Sequence, residues 1–181
     1  MNERTQLAGA VKRIAWGYVL MHVNFNLGTM DILPDWAGYL MILSVLPVLT
    51  AEEEAAKLLK PFGVILTVWE VLVWVVNLLG VQNWDWGWLS IVETVVSLYF
   101  HFQLLTNLAA ISEKYGCPET KRILTLRTVQ TLLTTVLALP LPWEEYEALA
   151  LLLLVVSLVV VIWICRVLFS LRRSLQQETL E

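Results

Sequence analysis

The chain has 181 residues, 58% of them hydrophobic and 15% charged, and its mean hydropathy is +0.69. A soluble domain holds about 45–50% apolar and about 25% charged residues, so the composition excludes an ordinary soluble domain. The net charge is −4, and where the charges sit says more than their sum. Cys117 and Cys165 have neither metal nor redox spacing and predict no disulfide.

The apolar runs predict an all-α polytopic membrane bundle of about six helices, arranged as three hairpins in a single integral membrane domain over residues 1–181. A helix rises about 1.5 Å per residue, so about 20 apolar residues cross about 30 Å of hydrocarbon. The first span is expected over 14–30. Pro34, a good first-turn residue, opens the second over 34–50. Thr50 with Glu53 reads as a capping box for a short interfacial helix over 51–60. The apolar face of that helix would be Ala51, Ala55, Leu58 and Leu59. Pro61 leads into the third span over 62–81. Asn83 to Trp88 reads as a tight hairpin into the fourth over 87–112. Gly116 and Pro118 separate it from the fifth, 123–141. Pro140 and Pro142 turn the chain into the sixth, 145–169. Pro47 predicts a local kink in the second span.

Six spans place all twelve Lys and Arg residues near one face: the N-terminus, the 2–3 loop, the 4–5 loop and the C-terminus. The opposite face carries Asp31, Asp35, Asp85, Glu144, Glu145 and Glu147. Basic loops are retained in the cytoplasm during insertion, so both termini are expected inside a plasma membrane. No small-x-small cleavage site follows the first apolar stretch, which therefore reads as a span and not as a removable signal.

The stretch Asn24-Phe-Asn26-Leu-Gly28-Thr-Met-Asp31-Ile-Leu-Pro34-Asp35-Trp-Ala-Gly38-Tyr39 resembles a signature of small bacterial membrane proteins, N-x-N-x-G…(D/N)-x-L-P-D-x-x-G-Y. That resemblance implies a membrane location and carries over no functional residue, because no activity is assigned to those proteins. Size, span number, cytoplasmic termini and a Trp-rich outer face are also similar to the substrate-binding components of energy-coupling-factor vitamin transporters. The chain lacks the Gly-Pro pair expected near the second and third spans, and Ala8, Ala10 and Ala15 do not make a regular small-residue ladder. The likeness is one of architecture. Asn26-Leu-Gly28 with Asp35-Trp-Ala-Gly38 also resembles Asn77-Leu-Leu-Gly80 with Asp85-Trp-Gly87, as in tandem hairpins.

Ionisable residues deep in a bilayer are functional candidates by default, and here they are His22, Glu70, Glu93 and His101. Residues four apart share a helix face. Tyr18, His22 and Asn26 therefore form a stripe on the first helix, Glu70, Trp74 and Asn77 on the third, and Glu93, Ser97 and His101 on the fourth. Lipid cannot satisfy these groups, so the stripes are expected to turn inward. They would build a ligand site of His22, Asn26, Glu70, Trp74, Asn77, Glu93 and His101, with Trp84 and Trp86 at its mouth.

Four uses compete for such a site. It could bind a small polar or cationic solute from the outer face, hold a divalent metal, relay protons, or join helices through neutral or paired carboxyls. No HExxH, GxSxG or Walker spacing is present. An enzyme is not the expected class, and no catalytic residue, metal or cofactor is assigned. Trp36, Trp84, Trp86, Trp88 and Trp143 also read as an outer aromatic belt, with Trp16 and Trp163 toward the inner boundary. Arg127 and Arg166 are expected to snorkel to the inner surface. No nucleic-acid motif appears. The expected partners are the lipid bilayer, a small solute, or a larger membrane complex that the chain serves as an accessory subunit.

Overall fold

The computed structural model describes residues 3–22, 34–80, 87–143 and 145–177, with the backbone of 26–27 and 30–31. Within them lie six α-helices: α1 (Glu3–His22), α2 (Asp35–Glu52), α3 (Leu59–Leu78), α4 (Trp88–Lys114), α5 (Thr120–Ala138) and α6 (Glu147–Gln177). A two-residue antiparallel ladder joins β1 (Asn26–Leu27) to β2 (Met30–Asp31), with Asn26 opposite Asp31. The fold is all-α in class. The tight hairpin expected at Asn83 to Trp88 falls mostly outside the described residues.

Two boundaries differ from expectation for physical reasons. The first helix (Glu3–His22) begins well before residue 14 and does not run to 30, since Asn26–Leu27 lies in β1. Its early start follows from a buried stripe of Leu7, Val11, Ile14, Ala15 and Tyr18 at helical spacing. Arg4, Lys12 and Arg13 interrupt the hydropathy there without interrupting the helix. The stretch beyond His22 is rich in Asn, Gly and Thr, which are weak helix formers.

The second difference is the inner turn. Thr50 lies inside α2, and the capping oxygen belongs to Glu53, whose carboxylate accepts from Ala55 N at 3.4 Å. In place of an interfacial helix over 51–60, a 3-10 turn (Glu54–Leu58) runs straight into α3. Ala56 and Leu59 are buried and Leu58 is half exposed, so the apolar face is also not the expected one. Pro61 falls in the first turn of α3, where a missing N–H breaks no bond.

Each helix packs on the next in sequence, and α6 closes on α1 to complete a ring. The tightest crossing is α1 on α2. A Cβ at Gly17 would sit 2.9 Å from the Gly38 carbonyl oxygen, and one at Gly38 would sit 2.6 Å from the Gly17 carbonyl oxygen and against Met21. Small residues that let backbones meet are a common device where no water drives helices together.

Among the described residues, three segments are long and apolar enough to cross a membrane: Glu54–Leu78, Trp88–Lys114 and Glu147–Gln177. Their outer surfaces expose Ile65, Val68, Leu72, Ile91, Val95, Leu151, Leu154 and Leu158. Exposed apolar area on that scale is incompatible with water and marks a membrane protein. The other three helices fall short by that measure. α1 carries its basic residues, α2 has only 18 residues with Asp35 and Glu52 at its ends, and α5 mixes Lys121, Arg122 and Arg127 with six threonines.

Candidate functional site

The polar stripes do not form one site. They divide between two places joined by Tyr39. The first is a cavity of about 140 Å3 between α1, α4 and α5, lined by His22, Ser97, Leu98, His101, Gln130, Thr131 and Thr134. That space holds several waters or one small solute and is well below the roughly 300–1,000 Å3 of a drug-sized pocket.

Hydrogen bonds fix its chemistry. His22 Nδ1 lies 2.9 Å from the Tyr18 carbonyl oxygen. A carbonyl can only accept, so Nδ1 carries the proton, and Nε2 is an acceptor whenever the ring is neutral. Thr131 Oγ1 donates to the Arg127 carbonyl at 2.8 Å, which leaves its own lone pairs open. Gln130 Oε1 is buried with no hydrogen-bond partner. His101 Nδ1 is 3.0 Å from the Tyr18 hydroxyl, across the ring from α4 to α1. The lining thus offers an unpaired acceptor at Gln130 Oε1 beside the hydroxyls of Ser97 and Thr134, which can donate or accept.

The second place is acidic. The buried Tyr39 ring lies 6.2 Å from the His101 ring and 5.5 Å from that of Phe100, and its hydroxyl shares a hydrogen bond with Ser97. Asp35, Glu70 and Glu93 lie close enough to act on it electrostatically. Ser97 thus belongs to both places: it lines the cavity and meets the tyrosine that faces the carboxylates.

The expected site residues fall out as follows. His22 and His101 meet at the cavity, with ring centroids 6.1 Å apart. Glu70 and Glu93, both half-buried, face the Tyr39 side and do not line the cavity. Trp74 is half-buried against Trp36 at 6.1 Å. Asn77 is exposed near the end of α3. Asn26 sits in β1 and not on α1, so it does not share a helical face with Tyr18 and His22; its side chain lies outside the described residues, as do Trp84 and Trp86. Among the described residues no three His, Cys, Asp or Glu side chains converge to hold a metal ion.

The fifth helix supplies what sequence reading missed. Gln130, Thr131 and Thr134 wall the cavity, yet none is ionisable, so a search for buried charges passes over them. The available signal was the spacing of 130, 131 and 134, which lie on one helical face. Arg127, one turn away, does not reach for water as expected. Its guanidinium stacks 4.4 Å over the Phe102 ring and donates to Thr106 Oγ1 at 3.0 Å. A planar, weakly hydrated cation suits such a partner.

At the other end of the ring, Glu52 joins α2 to α4. Its carboxylate accepts from Lys114 Nζ at 2.8 Å and from the Tyr115 hydroxyl at 2.9 Å. Burial pulls the Glu52 carboxyl up, but those two hydrogen bonds and the Lys114 charge outweigh it and hold the group below its ordinary range. Burial first, and then the bond to Glu52, raises the Tyr115 phenol.

Together these features describe a helical membrane protein with a small polar cavity between its helices. The chain matches no protein-family model, no curated protein and no solved structure.

Proposed function

We propose that this is a plasma-membrane protein that crosses the bilayer six times, keeps both termini in the cytoplasm, and binds a small solute bearing hydrogen-bond donors in the cavity between α1, α4 and α5. The observation that carries the reading is the orphaned Gln130 Oε1 on a residue that lines the cavity together with His22 and Thr131. A buried acceptor without a donor costs about 1–3 kcal/mol, which a donor-bearing occupant would remove. Asp35, Glu70 and Glu93, on the Tyr39 side, favour a cationic occupant over an anionic one. The route is from the outer face, where the acidic loops lie. The placement of all basic clusters on one face supports the topology. The likeness of the Asn24-to-Tyr39 stretch to small bacterial membrane proteins agrees with the location.

Native mass spectrometry of the protein, released from its own membrane in lipid particles, tests this. A small molecule retained by the wild type and lost in Gln130→Leu, with folding intact, is the expected result. An empty protein bound in fixed ratio to other membrane chains would overturn it in favour of an accessory subunit.

A further inference from the structure

Another concavity lies between α5 and α6 and shares no lining residue with the polar cavity. It measures about 620 Å3, and its wall includes Arg122, Arg166, Arg173, Trp163, Ile162 and Val159. None of the three guanidiniums makes a hydrogen bond or ion pair with another described residue. The carboxylate tied to this wall, Glu119, is buried and turned to Ser170 and Ser174, from which it accepts at 2.7 and 2.9 Å. It makes no ion pair with the three arginines.

The groove is graded along its length. On α6, Val159, Arg166 and Arg173 follow at intervals of seven residues, so they share one face and stand about 10 Å apart. The end toward the middle of α6 is apolar, with Val159, Ile162 and Trp163 each about half exposed. The other end is cationic. Arg122 also sits in the first turn of α5, where the positive end of the helix dipole adds to its charge. Guanidinium groups match phosphate oxygens bidentately. An amphiphile with a phosphate at one end and hydrocarbon at the other matches both halves.

We infer that the α5–α6 groove is a binding site for one anionic phospholipid of the leaflet at the C-terminal end of α6. Its phosphate is held by Arg122, Arg166 and Arg173, and an acyl chain lies along Trp163, Ile162 and Val159. The inference rests on the membrane reading but not on the solute cavity, with which it shares no residue.

The test is native mass spectrometry of the full chain titrated with phosphatidylglycerol or phosphatidylcholine of identical acyl chains. Wild type is expected to retain phosphatidylglycerol preferentially, and Arg166→Gln/Arg173→Gln to lower that preference about thirtyfold, since each basic group near a membrane surface contributes roughly a factor of five. Arg172→Gln, which lies off the groove, leaves it unchanged. Equal retention of the two lipids, or an indifferent double variant, overturns the site. Displacement of the lipid by soluble glycerol 3-phosphate at matched concentration would show that phosphate alone is recognised and overturn the acyl half. If the double variant does not fold, Trp fluorescence of the wild type decides. Brominated phosphatidylglycerol should quench more than brominated phosphatidylcholine, and the excess should vanish in Trp163→Phe. Equal quenching refutes the proposal.

Discussion

The α1–α2 crossing predicts opposite signs for two glycine-to-alanine changes on and beside the same helix pair. At Gly38 the new Cβ would stand 2.6 Å from the Gly17 carbonyl oxygen and against the Met21 side chain. A carbon and an oxygen need about 3.3 Å, so the backbones must part by about 0.7 Å. Met21 can swing aside, but the carbonyl cannot. Overpacking of this kind costs about 1–3 kcal/mol. At Gly9, on the exposed face of α1, a Cβ meets nothing within 4 Å. There Gly→Ala should stabilise by up to about 1 kcal/mol, because only the helix propensity of alanine remains. The assay is reversible unfolding in mixed micelles, followed by circular dichroism as sodium dodecyl sulfate is raised. Gly38→Ala should unfold earlier than wild type, and Gly9→Ala no earlier. Because Gly17 and Gly38 immediately precede Tyr18 and Tyr39, the Gly38 change should also weaken the 3.0 Å Tyr18–His101 contact. If both variants shift in the same direction by the same amount, the close approach of the two backbones is refuted.

Other outcomes follow from the polar contacts. Tyr18→Phe removes the hydroxyl that meets His101 Nδ1, leaves a buried ring nitrogen unpaired, and should cost about 1–3 kcal/mol in the same unfolding assay; an unchanged midpoint would mean the contact carries nothing. For Glu52, the folded-state carboxyl lies below its ordinary value, so its contribution is complete above the unfolded pKa, about 4.3, and is lost as pH falls through the folded value. Stability should therefore drop on acidification below about pH 5 in wild type, and less steeply in Glu52→Gln. That variant should lose at most about 1 kcal/mol at pH 7, because Lys114 is half exposed and the pair is screened. An identical acid limb in both proteins would exclude the Glu52 latch.

Much of this fold was legible in the sequence because the bilayer imposes few solutions. Long uncharged runs had to be helices, and the boundaries of α3, α4 and the start of α6 fall within a few residues of the hydropathy breaks. The failures share one cause: hydropathy treats each residue alone. It could not see that Leu7, Val11 and Ile14 carry α1 past Arg4 and Lys12. Nor could it choose between Thr50 and Glu53 for the cap, which depends on where α2 stops. The candidate site was half legible. His22 and His101 do meet, because stripes of polar residues turn inward. Glu70 and Glu93 went to the Tyr39 side, since a helix face points at whichever neighbour the ring supplies, and ring order is not written in spacing. Gln130 and Thr134 were invisible to a search that weighed only charge.

The fifth helix is where hydropathy and physical chemistry disagree most, and it decides the span count. Transfer scales price every threonine as a free hydroxyl. In α5 the hydroxyls of Thr125, Thr128, Thr131 and Thr135 each donate to the carbonyl four residues earlier, at 2.7–3.0 Å. A donor satisfied within its own helix no longer needs water, and the Arg127 guanidinium rests on Phe102 and Thr106, with its buried Nε unpartnered. The 19 residues of α5 then reach about 28 Å, close to the hydrocarbon thickness. So α5 should cross despite its composition, placing Lys121 and Glu145 on opposite sides. Lys121→Cys and Glu145→Cys, each in a background with Cys117 and Cys165 replaced by serine, can be labelled in intact cells with a membrane-impermeant maleimide. Glu145→Cys should react at once, and Lys121→Cys only after the membrane is opened. Equal reactivity of the two sites from outside would place α5 on the surface, and the bundle would then have fewer than six spans.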